Sequence, residues 1–284
     1  MASTILAVGA AGKFAGSVIP AVRKRGGQVR GMVRKIDQME LVLRRGAAEV
    51  VVADLTDRKA VASALIGVDA VFYIAPAFFP DEAQIGVDMV DAARRAGVRR
   101  FVFSSVIHPV LSALPNHAAK APVEEAVLDS GMEYTFLHPA VYFQNYALAW
   151  NRITETGVLA EPWSAETRFS RVDYRDVADV AAIALVEDRL VNGTFELCAE
   201  GHLNRKEVAS LLTDVLGREV IEQRLDAAEL GDAAARMKPM LEHYEHHGLL
   251  GNALTLRAIL GREPRSLRDY FGELMRGVAR FGDG

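Results

Sequence analysis

Three glycines near the start of the chain, Gly9, Gly12 and Gly16, have the spacing G-x-x-G-x-x-A-G. A phosphate bound at a helix start needs free backbone N–H groups and no side chain in the way. Gly9 permits a tight turn, because glycine tolerates positive φ. Gly12 lets the backbone approach an anion, and either small residue of the pair Ala15-Gly16 lets the next helix pack closely. Lys13 invites comparison with a P-loop. That motif fails here, because Phe14 replaces the required Ser or Thr and Ala7 stands where the first glycine belongs. The phosphate chemistry left for such a turn is a dinucleotide pyrophosphate.

Two cations extend this chemistry. Arg34 lies 22 residues past Gly12 (34 − 12), and Lys35 follows it. A ribose with a free 2′-hydroxyl usually meets Asp or Glu about twenty residues on. Two cations and no adjacent acid favour a 2′-phosphate instead, and so NADP(H) over NAD(H).

The elements that must position these residues are legible in the pattern. An apolar run at Ile5–Val8 precedes the turn, a helical pattern (Phe14, Val18, Ile19, Val22) follows it, and Gly26-Gly27 leads to a second run ending at Val33. That is a βαβ unit. Helices are expected near 36–46, 57–66, 81–97 and 116–130, and strands at 48–53, 69–75, 99–105 and 133–138. Further on, a helix from Asp176, a strand at 194–199 and a helix at 204–217 capped by Asn204 are expected. Near-continuous apolar strands between helices indicate a parallel sheet covered on both faces. The expected fold is α/β: a doubly wound parallel-sheet Rossmann domain over 1–150, with a smaller, mostly helical substrate lobe over 151–284. That lobe also returns late elements to the sheet.

In such a sheet ligands lie beyond the C-terminal ends of the strands. The strand-end candidates are Gly9, Ala11, Gly12, Lys13, Phe14, Arg34, Lys35, Asp54, Leu55, Ala75, Pro76, Ser104, Pro139 and Val141. Asp54 either accepts a bond from the adenine amine or caps the next helix. Ala75 and Pro76 leave room for a ribose, or simply end a strand. Phe78, Phe79, Tyr142, Phe143, Tyr146 and Trp150 either wall an apolar substrate pocket or pack in the core.

Lys120 in PNHAAKAPVEEAV is the next candidate. In short-chain dehydrogenases a helix carries Tyr-x-x-x-Lys; the lysine holds the nicotinamide ribose and lowers the tyrosine pKa. Here the register is Asn116-His117-Ala118-Ala119-Lys120, with the lysine present and the tyrosine absent. Asn116 is no acid near neutral pH. His117, Lys120 and Tyr142 are the candidate proton donors, and an unperturbed histidine titrates near 6.5.

Bulk properties narrow the function class. The 284 residues are 50% hydrophobic, enough for a sizeable core, and a net charge of −4 argues against nucleic acid. Cys198 is the single cysteine, which suits a reducing, cytoplasmic setting. The first residues lack a basic n-region, and no apolar run is long enough to span a membrane. His243, His246 and His247 have helical spacing, but they do not form H-E-x-x-H, so no metal site is expected. The expected partners are a small-molecule substrate and either a protein partner or a second copy of the chain.

Taken together, VGAAGKFAGSVI, VRK, VVADLTD, DAVFYIAP, GVRRFVFSSV, NHAAKAPVEEAVLDSGMEYTFLHPAVYFQN and VDYRDVADVAA resemble the NmrA-like atypical short-chain dehydrogenases/reductases. The resemblance covers nearly the whole chain. It implies a Rossmann domain with a substrate lobe, and NADP(H) held by Gly9, Gly12, Lys13, Phe14, Arg34 and Lys120. It also implies either of two activities. One branch reduces small apolar carbonyl, enone or quinone-like compounds with NADPH. The other binds the nucleotide as a redox sensor with little turnover. A sugar-nucleotide epimerase-like activity is a third reading, and the absent tyrosine weakens it.

Overall fold

The computed structural model describes residues 3–79, 81–231 and 233–277. The first half contains β1 (Thr4–Val8), α1 (Ala15–Lys24), β2 (Gln28–Val33), α2 (Met39–Arg44), β3 (Glu49–Val52), α3 (Arg58–Ala64) and β4 (Ala70–Ile74). There follow α4 (Glu82–Arg95), β5 (Arg100–Ser104), α5 (Pro115–Ala118), α6 (Ala121–Asp129), β6 (Glu133–Pro139), β7 (Val141–Tyr142) and α7 (Asn145–Thr156). Next come β8 (Val158–Glu161), β9 (Phe169–Val172), α8 (Tyr174–Val186), β10 (Gly193–Leu197), β11 (His202–Leu203) and α9 (Arg205–Leu216). The last elements are β12 (Ile221–Arg224), α10 (Ala233–His246), α11 (Ala253–Leu260) and α12 (Leu267–Met275).

Seven parallel strands form one sheet in the order β10-β6-β5-β4-β1-β2-β3. The order reverses at β1, so a crevice opens between the ends of β1 and β4. Alternate residues face opposite sides of the sheet. Ile5 and Ala7 of β1 join the core under α1 and α8. Leu6 and Val8 join the core under α3, α4 and α6. The chain is thus the doubly wound Rossmann-like α/β fold read from its sequence. A third core gathers Phe143, Tyr146, Val208, Leu212, Tyr270 and Phe271 between α7, α9 and α12. Two small sheets, β11-β9-β7 and β12-β8, complete that region. Residues beyond 150 also build the main sheet, since β10 pairs with β6 and α8 packs on α1.

Two helix boundaries differ from the sequence expectation. The helix expected over 116–130 is split into α5 and α6. Pro122 has no N–H to donate to the Ala118 carbonyl, so the ladder breaks there, and Lys120 sits at the break. The helix expected from Asp176 begins instead at Tyr174, because Asp173 caps it by accepting from the Arg175 N–H at 2.8 Å.

Candidate active site

β1 delivers the chain into Gly9, whose φ of +69° lies in the left-handed region. The Gly12 N–H donates to the Gly9 carbonyl (2.8 Å), and the Ala10 N–H to the Met32 carbonyl at the end of β2 (2.9 Å). The N–H groups of Ala11, Lys13 and Phe14 make no hydrogen bond among the described residues. Three unpaired donors therefore stand together at the start of the ten-residue helix α1. Such donors and the helix dipole suit a phosphate.

A cavity of about 140 Å³ adjoins this turn, lined by Arg34, Asp54, Leu55 and Pro76 with Gly9. Arg34 and Lys35 are exposed, and their side-chain nitrogens make no hydrogen bond among the described residues. Asp54 is not the helix cap: Asp57 caps α3 by accepting from Lys59 and Ala60. Oδ1 of Asp54 instead accepts from the Thr56 N–H (2.9 Å) and Oγ1 (2.7 Å), and these bonds hold its carboxyl below the usual range. These residues fit a nucleotide: donors for a pyrophosphate, a cation at the cavity rim and a pocket for a base.

Lys120 lies at the same edge of the sheet and is almost wholly buried. Its Nζ forms an ion pair with Glu82 and hydrogen bonds to the Asn116 carbonyl and the Asn116 Oδ1, both at 3.2 Å. An ammonium has three donors, so all three are engaged. Glu82 starts α4 and is itself buried; it also accepts from the Phe78 N–H at 2.8 Å. Four residues beyond Lys120, Glu124 anchors α6 to the sheet. Its Oε1 accepts from Ser105 Oγ (2.5 Å) and pairs with His138 Nε2 (2.9 Å).

Two of the three candidate proton donors are poorly suited to that task. His117 is 1% exposed, and its Nδ1 bonds the His108 carbonyl at 3.0 Å. Burial pushes its pKa down and outweighs the bond to the His108 carbonyl, which acts the other way; the Lys120 charge adds to the fall, so the ring is neutral at pH 7. Tyr142 packs against Phe14 (4.5 Å between centroids) and edge-on to Tyr174 (5.0 Å). Burial pushes its phenol far above its ordinary value, so it holds its proton firmly. Ser104, at the end of β5, lies near the Tyr142 and Tyr174 hydroxyls, and its own hydroxyl is buried without a hydrogen-bond partner among the described residues.

The His117 shift has a measurable consequence. The folded ring resists protonation, whereas the unfolded chain takes up a proton below about pH 6.5. Stability present above that value is therefore lost as pH falls through the folded pKa. Thermal midpoints should drop between about pH 7.5 and about pH 5.5, and His117→Asn should flatten this slope. An unchanged slope in the variant would assign the acid sensitivity elsewhere.

Residues 1–268 match the family model described as the NmrA-like family. The chain belongs to the NmrA-like family. This NmrA-like protein is 30% identical over 221 residues to an NAD(P)H azoreductase of Xenophilus azovorans, covering 76% of this chain and 75% of the relative. It is 26% identical to quinone oxidoreductase 2 of Escherichia coli over 282 residues, covering 95% and 98% of the two chains. Among solved structures, the NADPH complex of an Escherichia coli NADPH-dependent quinone oxidoreductase superposes with a TM-score of 0.84 at 24% identity, covering 96% and 99% of the two chains. The NADP(H) complex of Citrobacter sp. triphenylmethane reductase superposes at 0.85 with 20% identity and the same coverage. Both likenesses bear on the fold.

The parallel strands put the strand-end candidates of the NmrA-like protein on the C-terminal side of the sheet, with Ala75 and Pro139 buried and Val141 half-buried in β7. Three of the aromatic candidates lie elsewhere. Phe143, in the turn after β7, and Tyr146 and Trp150, on α7, pack against Tyr270 and Phe271 in the third core. Phe78 and Phe79 are partly exposed on the loop after β4. Sequence reasoning missed Glu82, Glu124, Tyr174 and Arg45. Only Glu124 has a local signal, its i, i+4 spacing from Lys120. No helix among the described residues is long and apolar enough to cross a membrane.

Proposed function

We propose that this NmrA-like protein is an NADPH-dependent reductase of small, conjugated, apolar acceptors, with quinones and enones preferred over simple ketones. The observation that supports this reading is the glycine turn with unpaired N–H groups at Ala11, Lys13 and Phe14 beside a cavity that Arg34 lines, with the buried Lys120–Glu82 pair following the C-terminal ends of β5 and β4. The N–H groups would hold the pyrophosphate. Arg34 and Lys35 would meet the 2′-phosphate, and Asp54 and Leu55 the adenosine. Ala75 and Pro76 would border a ribose. Ser104, Pro139, Val141 and Lys120 would border the nicotinamide end. NADPH, when bound, supplies the hydride. The names of the azoreductase and quinone oxidoreductase relatives support a reductase.

The acceptor preference follows from the protein's own acids. Hydride addition to an isolated ketone leaves an alkoxide nearly as basic as hydroxide. That product needs a positioned acid. His117 is neutral, Tyr142 holds its proton, and Lys120 donates to three acceptors already. Reduction of a quinone leaves a phenolate-like anion, whose conjugate acid has a pKa of about 10 and which solvent protonates readily. The Lys120 charge then stabilises that anion electrostatically, without proton transfer.

The test is NADPH oxidation followed by absorbance against a quinone, an enone, an azo dye and an aliphatic aldehyde. Quinone turnover should exceed aldehyde turnover by at least about tenfold, equivalent to about 1.4 kcal/mol in barrier. Aldehyde reduction at an equal rate would overturn the preference. NADPH binding with no oxidation by any acceptor would favour the sensor reading, which the saturated Lys120 ammonium also supports.

A further inference from the structure

Arg45, the residue after α2, reaches across to the glycine turn. Its Nη1 donates to the Ala10 carbonyl (2.8 Å) and the Gly12 carbonyl (3.0 Å). The guanidinium is half-buried there, and a Cβ at position 16 would overlap Nη1 and crowd the Ala10 carbonyl. Gly16 therefore has a reason beyond helix packing: the space beside it holds an arginine.

In a planar trans peptide the C=O and the next N–H point in opposite directions. Pinning the Ala10 carbonyl aims the Ala11 N–H the other way, and pinning the Gly12 carbonyl does the same for the Lys13 N–H. Those are two of the three unpaired donors at the head of α1. The Gly12 carbonyl has two lone pairs, so it accepts from both Arg45 and the Gly16 N–H at 3.1 Å. The guanidinium also places a fixed positive charge behind the turn, on the side away from the donors.

We infer that Arg45 is a positioning residue for dinucleotide binding: it clamps the carbonyls of the turn so that the Ala11 and Lys13 N–H groups face the pyrophosphate. It acts on the part of the cofactor common to NADPH and NADH, in contrast to Arg34. The inference rests on the assignment of Gly9–Phe14 as the pyrophosphate turn.

The experiment measures the Kd of NADPH and of NADH by titration for wild type, Arg45→Leu and Arg45→Lys. Arg45→Leu should weaken both nucleotides by the same factor, about tenfold, the worth of a charge-assisted hydrogen bond. Its KM for NADPH should rise in parallel while kcat falls less than about threefold, a split that general loosening of the fold would not produce. Arg45→Lys keeps the charge and a donor, and should recover most of the affinity. If the leucine variant fails to fold, Arg45→Gln serves instead, and both Kd values should rise at least about threefold. Unchanged affinity in the leucine variant, or in the glutamine variant where that replaces it, overturns the inference, as does a loss confined to NADPH. Wild-type protein that binds neither nucleotide would remove the turn assignment and this inference together. Wild-type binding with an equally tight leucine variant removes the inference alone.

Discussion

Removing the Lys120 ammonium is expected to lower kcat for NADPH oxidation by about 100-fold or more, the usual cost of losing one group that stabilises a developing anion. NADPH affinity should change by no more than about fivefold, because the turn and Arg34 supply most of the binding contacts. The single substitution Lys120→Met carries a second cost. Glu82 is 6% exposed and, among the described residues, would retain only the Phe78 N–H as a side-chain partner. Breaking a buried ion pair from one side costs about 3–5 kcal/mol, which is a large part of a typical domain's stability. For a chain of this size that corresponds to about 2–4 °C in Tm per kcal/mol. The informative protein is therefore the double variant Lys120→Met/Glu82→Gln, in which the glutamine still accepts from Phe78 and no charge is stranded. Its Tm should recover towards wild type while turnover stays low. Wild-type turnover in the double variant would remove Lys120 from the chemistry.

The second large effect concerns nucleotide choice. Arg34 presents a guanidinium with no hydrogen bond among the described residues at the rim of the cavity, with the Asp54 carboxylate within its electrostatic reach. Arg34→Asp should lower the ratio of kcat/KM for NADPH to that for NADH by about 10–150-fold, the equivalent of about 1.5–3 kcal/mol for a charge-assisted contact. Aspartate adds repulsion of a 2′-phosphate and an acceptor for a free 2′-hydroxyl, so the NADPH term falls, the NADH term rises, and both changes lower the ratio. The site is exposed, and the shift should shrink as salt is raised. A ratio that does not move would show that Arg34 makes no 2′-phosphate contact.

What was legible in the chain follows from the range of each interaction. The opening βαβ unit depends on neighbours, since glycine freedom and apolar period are local properties. The doubly wound sheet follows from repeating that rhythm. Arg45 was illegible because it acts across 33 residues on the Gly12 carbonyl, and nothing in its own neighbourhood marks it. In sequence Asn116 shows only as the place of a missing tyrosine, although its main-chain oxygen and its Oδ1 both accept from the Lys120 ammonium. His117 had the right residue type for an acid, but its burial depends on packing that no short window contains. Phe143 and Tyr146 were ambiguous for the same reason, because an aromatic side chain suits a pocket wall and a core equally well. The split at Pro122 was readable from proline chemistry alone, and the longer helical period masked it.

The late return of the chain to the sheet bears on how the molecule is made. When a ribosome has released only the first 150 residues, the glycine turn, Arg34 and Lys120 are all present. The strand that pairs with β6 and the helix that shields α1 are still unsynthesised. Such a nascent chain presents the β6 backbone as a bare edge, with the apolar face of α1 uncovered beside it, a combination prone to association. The nucleotide half is therefore no detachable cassette. It closes only once Leu197 has been delivered, so a truncation near residue 150 should yield insoluble protein although it keeps all the cofactor-contact candidates.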